Sequence, residues 1–148
     1  MTSNSVCVDA SMALQWLFYG EHREQADSLL RDWAENDVEM VAPPMFHAEV
    51  ISAIRKSVYF KRILLEDGDR LFALHWGLPV SVIDTSEMYH GAWALAKSFN
   101  LPVCYDMQYL AVAELADCEL WTADRRLVNA VRGKTKRVKW LGEYQKQA

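Results

Sequence analysis

Several chemistries are excluded by what is missing from these 148 residues. No G-x-G-x-x-G and no G-x-x-x-x-G-K-[ST] occurs, so neither a dinucleotide fingerprint nor a P-loop is available. The absence of G-x-S-x-G removes the usual nucleophile elbow of a serine hydrolase. Cys7, Cys104 and Cys118 are odd in number and form no C-x-x-C. A zinc cage is therefore disfavoured, and small buried thiols in a reducing compartment are expected. No apolar run approaches the ~20 residues of a membrane span, and residues 1–11 have neither the charged start nor the apolar stretch of a signal peptide. A cytoplasmic protein without a membrane partner is expected.

What is present is a well-patterned chain, 51% hydrophobic, long enough to close a core. One domain spanning residues 1–148 is expected, without repeats, low-complexity segments or a dividing linker. Val6-Cys7-Val8 reads as a buried strand ending in Asp9-Ala10-Ser11, with a helix from about Met12. From His22 to Glu35 the apolar residues Ala26, Leu29, Leu30, Trp33 and Ala34 follow the i, i+3, i+4, i+7, i+8 spacing of an amphipathic helix. Strands are predicted at Val38–Ala42, Pro79–Ile83, Glu119–Thr122 and Arg137–Trp140. Between them lie helices at Met45–Phe60, opened by Pro43-Pro44, and at Leu64–Leu78 with Asp67 as a cap. Two more run from Asp84-Thr85-Ser86 to Phe99, ended by Asn100 and Pro102, and from Asp106 to Ala116, and a short one covers Arg125–Val131 before Gly133. The order β, α, α, β, α, α, β, α, α, β, α, β predicts an α/β fold with a mainly parallel sheet covered on both faces.

Charge is unevenly distributed. Residues 1–124 carry eight Lys/Arg against nineteen Asp/Glu, or −11, and residues 125–148 carry eight against one, or +7. The basic end contains Arg125, Arg126, Arg132, Lys134, Lys136, Arg137 and Lys139. It is either a solvated tail or a strip able to hold phosphates. Lys56, Lys61 and Arg62 form a smaller cluster that also fits a solvated helix end.

The acids carry the chemistry. Asp9 follows the first strand, Asp106 opens a helix and Asp124 follows the fourth strand. Each is also a good helix N-cap. Glu49 lies beside the apolar face of its helix, where an unpaired charge is costly. It must snorkel, pair with a base or share a cation. His47 is i−2 from Glu49 and faces elsewhere, so H-x-E is weak here as a metal pair. Ligands of open parallel sheets bind at the C-terminal strand edge, where Asp9, Glu49, Asp106 and Asp124 can converge. Such a cluster is relieved by protonation or by a divalent cation, for which hard oxygen ligands suit Mg²⁺ or Mn²⁺. Ser11 and Thr122 are placed to hold a water or a carboxylate.

Four blocks carry a family resemblance: V-D-A-S at 8–11, Ala48-Glu49-Val50, Y-D-x-x-Y-L-A-V-A at 105–113, and T-A-D-R-R-L at 122–127. In this order they resemble the acidic blocks of PIN-domain ribonucleases, and more narrowly those of VapC-type toxins of toxin–antitoxin pairs. Met107, where the family usually has alanine, and the heavy Trp121 are small departures that remove no acid. The resemblance implies a PIN-like three-layer α/β/α fold and an Mg²⁺- or Mn²⁺-dependent endoribonuclease leaving 5′-phosphate and 3′-hydroxyl ends. It further implies Asp9, Glu49 and Asp106 as the main metal-facing carboxylates, with Asp124 holding a second cation or orienting water. Ser11 and Thr122 would support them, and Arg125, Arg126, Arg132, Lys134 and Lys136 would hold RNA. It also implies a homodimer and a VapB-type antitoxin whose tail lies against the helices at 22–35 and 45–60. A housekeeping RNA-processing nuclease would share this site, and a non-catalytic PIN-like scaffold would share the fold. A phospho-acceptor receiver domain would need a second acid beside Asp9, and Val8-Asp9-Ala10 supplies only one.

If the basic strip holds RNA, binding of an Asp9→Asn protein to RNA should weaken steeply with salt through counterion release. Fluorescence anisotropy between about 50 and 200 mM salt measures this. A flat response would remove the strip from the binding surface.

Overall fold

The structure, a computed structural model, describes residues 4–18 and 20–145. Residues 1–3, at the start of the stretch read for a signal peptide, and Lys146, the last cation of the basic end, lie outside them. The elements run β1 (Ser5–Val8), α1 (Ala10–Leu17), α2 (Arg23–Glu35), β2 (Glu39–Ala42), α3 (Met45–Tyr59), α4 (Leu65–His75) and β3 (Val80–Val82). They continue with α5 (Ser86–Ser98), α6 (Tyr105–Ala116), β4 (Leu120–Thr122), α7 (Arg125–Val131) and β5 (Val138–Trp140), closed by a 3-10 turn at Leu141–Glu143. This is the order that periodicity predicts.

All pairings in the five-stranded sheet are parallel, in the order β3-β2-β1-β4-β5. The central β1 is flanked by β2 and β4, which explains why Val6, Cys7 and Val8 form an unbroken apolar run with all three buried. The chain first winds from β1 through β2 to β3, then α5 and α6 carry it across to β4 on the other side of β1. The winding direction therefore reverses between β1 and β4, and the crevice at their C-terminal ends is the natural ligand site of such a sheet.

The core is one cluster that joins Val8, Met12, Phe46, Val50, Leu110, Val112 and Leu120, all buried. Trp16 ties α1 to α2 by donating its indole N–H to the Ala26 carbonyl at 2.8 Å, and its ring meets Trp33 edge-on at 6.3 Å. Cys7 and Cys118 are buried free thiols, as expected, while Cys104 is half-buried. The helix ending at Ser98 stops where Asn100 takes a left-handed φ of 54°, a conformation Asn tolerates.

Two capping expectations are corrected. Asp67 does not cap α4. Leu64 occupies the N-cap without a side-chain bond, and Asp67 sits in the first turn paired with Arg70 at 3.3 Å. Nor does Asp106 cap α6, because the helix begins one residue earlier and Cys104 takes that position. Asp106 is left with its side chain uncommitted to a cap.

Gly68 is buried in α4, and a Cβ there would lie 2.4 Å from Val58 Cγ2 of α3. Gly68→Ala would gain about 1 kcal/mol of helix propensity, but carbon atoms pack at about 3.5–4.0 Å. Forcing the helices apart costs roughly 1–3 kcal/mol, so the clash should win. The expected result is a lower Tm for Gly68→Ala, recovered when Val58→Ala is added. A higher Tm in the single variant would show that α3 and α4 shift freely.

Candidate active site

Helices that run back along a parallel sheet begin at its C-terminal edge, so residues in their first turns gather there. A cavity of about 390 Å³ at this edge is lined by Asp9, Ser11, Glu49, Asp106 and Asp124 together with Lys56, Tyr109 and Arg126. The four acids singled out in the sequence thus share one cleft. Thr122 does not line it but is fully buried directly behind Asp9.

Asp9 is the N-cap of α1 and accepts the Met12 backbone N–H at 3.2 Å. Ser11 donates to Oδ1 and Thr122 to Oδ2, each at 2.5 Å. A hydroxyl has one proton, so with both committed to Asp9 the 3.2 Å contact between the two hydroxyls brings two acceptors together. Each hydroxyl oxygen is also anchored from behind, Ser11 by the Ala123 N–H at 2.8 Å and Thr122 by the Asp124 N–H at 2.9 Å. Of roughly four lone-pair positions on a carboxylate, these bonds fill three and leave one for a further ligand. Burial raises the Asp9 pKa from 3.8 to about 6 against the pull of these hydrogen bonds, with a further push from Asp124.

Glu49, on α3, snorkels out from beside the apolar face, one of the outcomes its sequence position leaves open. It is exposed at the cleft, and Oε1 accepts the hydroxyl of Tyr109 from α6 at 2.5 Å. Tyr109 is 2% exposed, and burial followed by its carboxylate partner holds its pKa far above the ordinary value. It therefore stays a donor at any working pH. Crowding by the cleft walls raises the Glu49 pKa, the Tyr109 bond lowers it and Asp106 raises it. Asp106, also open to solvent, is raised by the same crowding and by Asp124, with Arg126 opposing. Asp124 caps α7 by accepting the Arg126 N–H at 2.9 Å, and Arg126 Nε approaches the same oxygen at 3.4 Å.

Among the described residues, no three His, Cys, Asp or Glu side chains stand together as a ready-made metal cage. The acids surround the cavity without meeting at a point. That spacing disfavours Zn²⁺, which needs a closed set of protein ligands. It fits Mg²⁺, which keeps several waters and binds through one or two carboxylates completed by substrate phosphate. The donor set is all hard oxygen, and burial, aided by the neighbouring acids, raises the pKa values of Asp9, Glu49 and Asp106, so each carboxylate favours a positively charged partner.

Among the described residues of the basic strip, only Arg126 lines the cavity. Arg125 stacks on the Trp140 ring at 4.7 Å, and Lys134 lies 5.0 Å over Phe99. Arg137 pairs with Asp117 at 3.0 Å and Lys139 with Glu119 at 3.8 Å. Arg132 and Lys136 are exposed outside the cavity. Lys56, a second candidate for phosphates whose position also fits a solvated helix end, lines the cleft, and no residue of α2 does. Tyr109 was missed as a partner of Glu49. It lies in the block at 105–113 that carries the resemblance, but nothing in that block points to Glu49.

The family profile described as PIN domain matches residues 6–133. VapC ribonuclease Mb0985 of Mycobacterium bovis and ribonuclease VapC9 of Mycobacterium tuberculosis are each 27% identical over 122 residues, covering 82% of this chain and 87% of the relative. A toxin–antitoxin complex from Klebsiella pneumoniae superposes with a TM-score of 0.65 at 20% identity, over 92% of this chain and 97% of that one. PAE2754 from Pyrobaculum aerophilum gives 0.62 at 19% identity, over 87% and 81%.

A raised pKa on a buried carboxylate has a defined effect on stability. Between 3.8 and about 6 the unfolded chain releases the Asp9 proton while the folded chain keeps it, so this group destabilises the fold as pH rises through that window. The full cost, at most about 3 kcal/mol at ~1.4 kcal/mol per unit, is present above pH 6. In EDTA at pH 7.5, Asp9→Asn should therefore melt above the wild type, and the gap should narrow as pH falls through the window and close only below 3.8. Adding Mg²⁺ or Mn²⁺ at pH 7.5 should raise the wild-type Tm and leave that of Asp9→Asn nearly unmoved. Equal cation responses in the two proteins would place the ion elsewhere.

Proposed function

The chain belongs to the PIN-domain family, and from that membership we propose that it is a divalent-metal-dependent endoribonuclease, the toxin of a VapB–VapC-type pair. The observation that carries the reading is the single cleft at the reversal of the sheet, lined by Asp9, Glu49, Asp106 and Asp124 with Lys56 and Arg126 at its sides. The mycobacterial relatives named as VapC ribonucleases and the Klebsiella toxin–antitoxin complex support it. Residues 1–148 act as one domain in the cytoplasm, and a homodimer is the expected assembly.

In this mechanism Asp9, Glu49 and Asp106 would face Mg²⁺ or Mn²⁺, in part through the waters the ion keeps, and Asp124 would hold a second cation or orient the attacking water. When bound, the cation supplies Lewis-acid stabilisation of the charge that builds on the scissile phosphate and a site at which a nucleophilic water is drawn in. Ser11 and Thr122 keep the Asp9 carboxylate fixed, and Tyr109 does the same for Glu49. Both acids therefore present their free lone pairs without reorganising as substrate arrives. Lys56 and Arg126, in the same wall, offset the phosphate charge. The products carry 5′-phosphate and 3′-hydroxyl ends. An antitoxin tail that blocks the cleft lies across α3, which supplies Glu49, Ala53 and Lys56 to its wall.

Purified wild-type protein should cleave RNA in Mg²⁺ or Mn²⁺ and stop in EDTA, and Asp9→Asn should be inactive in either. Thr122→Val, which leaves every acid in place but frees one Asp9 oxygen, should lose roughly 10–100-fold in activity or cation affinity. Equal cleavage by wild type and Asp9→Asn would refute the assignment. Growth arrest on expression without the neighbouring antitoxin distinguishes a toxin from a housekeeping nuclease.

A further inference from the structure

Half of the cations in the acidic part of the chain sit together. Of the eight Lys/Arg in residues 1–124, four fall within residues 55–62: Arg55, Lys56, Lys61 and Arg62. Beside them α3 and α4 leave a groove of about 590 Å³ whose wall includes Arg55, Lys56, Tyr59, Phe60 and Phe72 and contains no Asp or Glu. The three rings are 66%, 58% and 46% exposed. The guanidinium of Arg55 lies 5.9 Å over Tyr59 and that of Arg62 lies 5.6 Å over Phe60, so the cations are held at the aromatic faces.

The groove continues into the acid cleft. Lys56 belongs to the wall of both, and Glu49, Ser52, Lys56 and Tyr59 follow one stripe of α3 at i, i+3, i+7 and i+10. Ten residues of helix span ~15 Å, a distance a single strand crosses in a few nucleotides. An apolar peptide helix would need rings and aliphatic side chains but no concentration of positive charge. Exposed rings interleaved with Arg and Lys, and free of acids, match an anionic chain with stackable bases.

We propose that this groove is a base-stacking subsite for single-stranded RNA, joined through Lys56 to the acid cleft. Tyr59 and Phe72 take bases, and Arg55 and Lys56 take backbone phosphates. The proposal rests on the nuclease reading above and adds where the strand runs beyond the cleaved bond.

The test uses full-length Asp9→Asn protein and single-stranded RNA carrying 2-aminopurine at successive positions. Binding should quench the probe at one position a few nucleotides from the cleaved bond, and adding Tyr59→Leu or Phe72→Leu should abolish that quenching. Affinity should fall roughly tenfold per ring, within the range of one base–aromatic stack. In the active protein the same changes should raise KM on long RNA with kcat held. They should have no effect on an oligonucleotide too short to reach the groove. Trp93→Leu, an equally exposed ring on α5 outside the groove, should change neither. Unquenched probe at every position, or variants that bind like their parent, overturns the proposal and returns the groove to a protein partner. Quenching intact in a wild-type protein that cuts no RNA would instead overturn the nuclease reading and leave the subsite standing.

Discussion

The cleft depends on how one buried carboxylate is held. Asp9 ends the central strand in a place where water cannot solvate it fully, and Ser11 and Thr122 replace that water. Both hydroxyls are themselves gripped by backbone N–H groups of the loop after β4. The bonds therefore run from Asp9 through Thr122 to the backbone of Asp124, and from Asp9 through Ser11 to that of Ala123. The ends of two neighbouring strands are locked together where the winding of the sheet reverses. Asp124 takes its position as a consequence, because the N–H that anchors Thr122 is its own.

The order of elements could be read from the sequence because helix and strand periods differ, and each apolar stripe was long enough to show its period. The acids at element ends could be read for the same reason, since a boundary residue announces itself by where a pattern stops. Partners across the fold could not. Tyr109 lies among Leu110, Val112 and Ala113 on a helix buried almost all round, so nothing local separates a packing tyrosine from one whose hydroxyl reaches Glu49. The fates of Arg137 and Lys139 depend on strand register. Only the pairing of Trp121 with Lys139 brings Glu119 and Asp117 near them. A run of cations in the sequence therefore divides in the fold into paired, stacked and free members. Of the described members of that run Arg126 alone reaches the cleft, whereas Lys56, from a shorter and less conspicuous cluster, joins it from α3.

These contacts separate the site into a fixed half and an exchangeable half. Asp9 and Glu49 are held by short bonds from buried donors, Thr122 and Tyr109, and removing such a donor leaves a polar group unsatisfied at a cost of about 1–3 kcal/mol. The Arg126–Asp124 contact is different: at 3.4 Å, with the arginine side chain 92% exposed, it belongs to a class of ion pairs worth at most about 1 kcal/mol. The Arg126 side chain can therefore leave at little cost, while its backbone N–H keeps the Asp124 oxygen at 2.9 Å. The net charge of −4 is then no obstacle to an anionic substrate. Screening confines exposed charges to about 8–10 Å in physiological salt. Within that radius a phosphate in the cleft would meet Lys56 and Arg126 as well as the acids, and the distant acidic faces would not reach it.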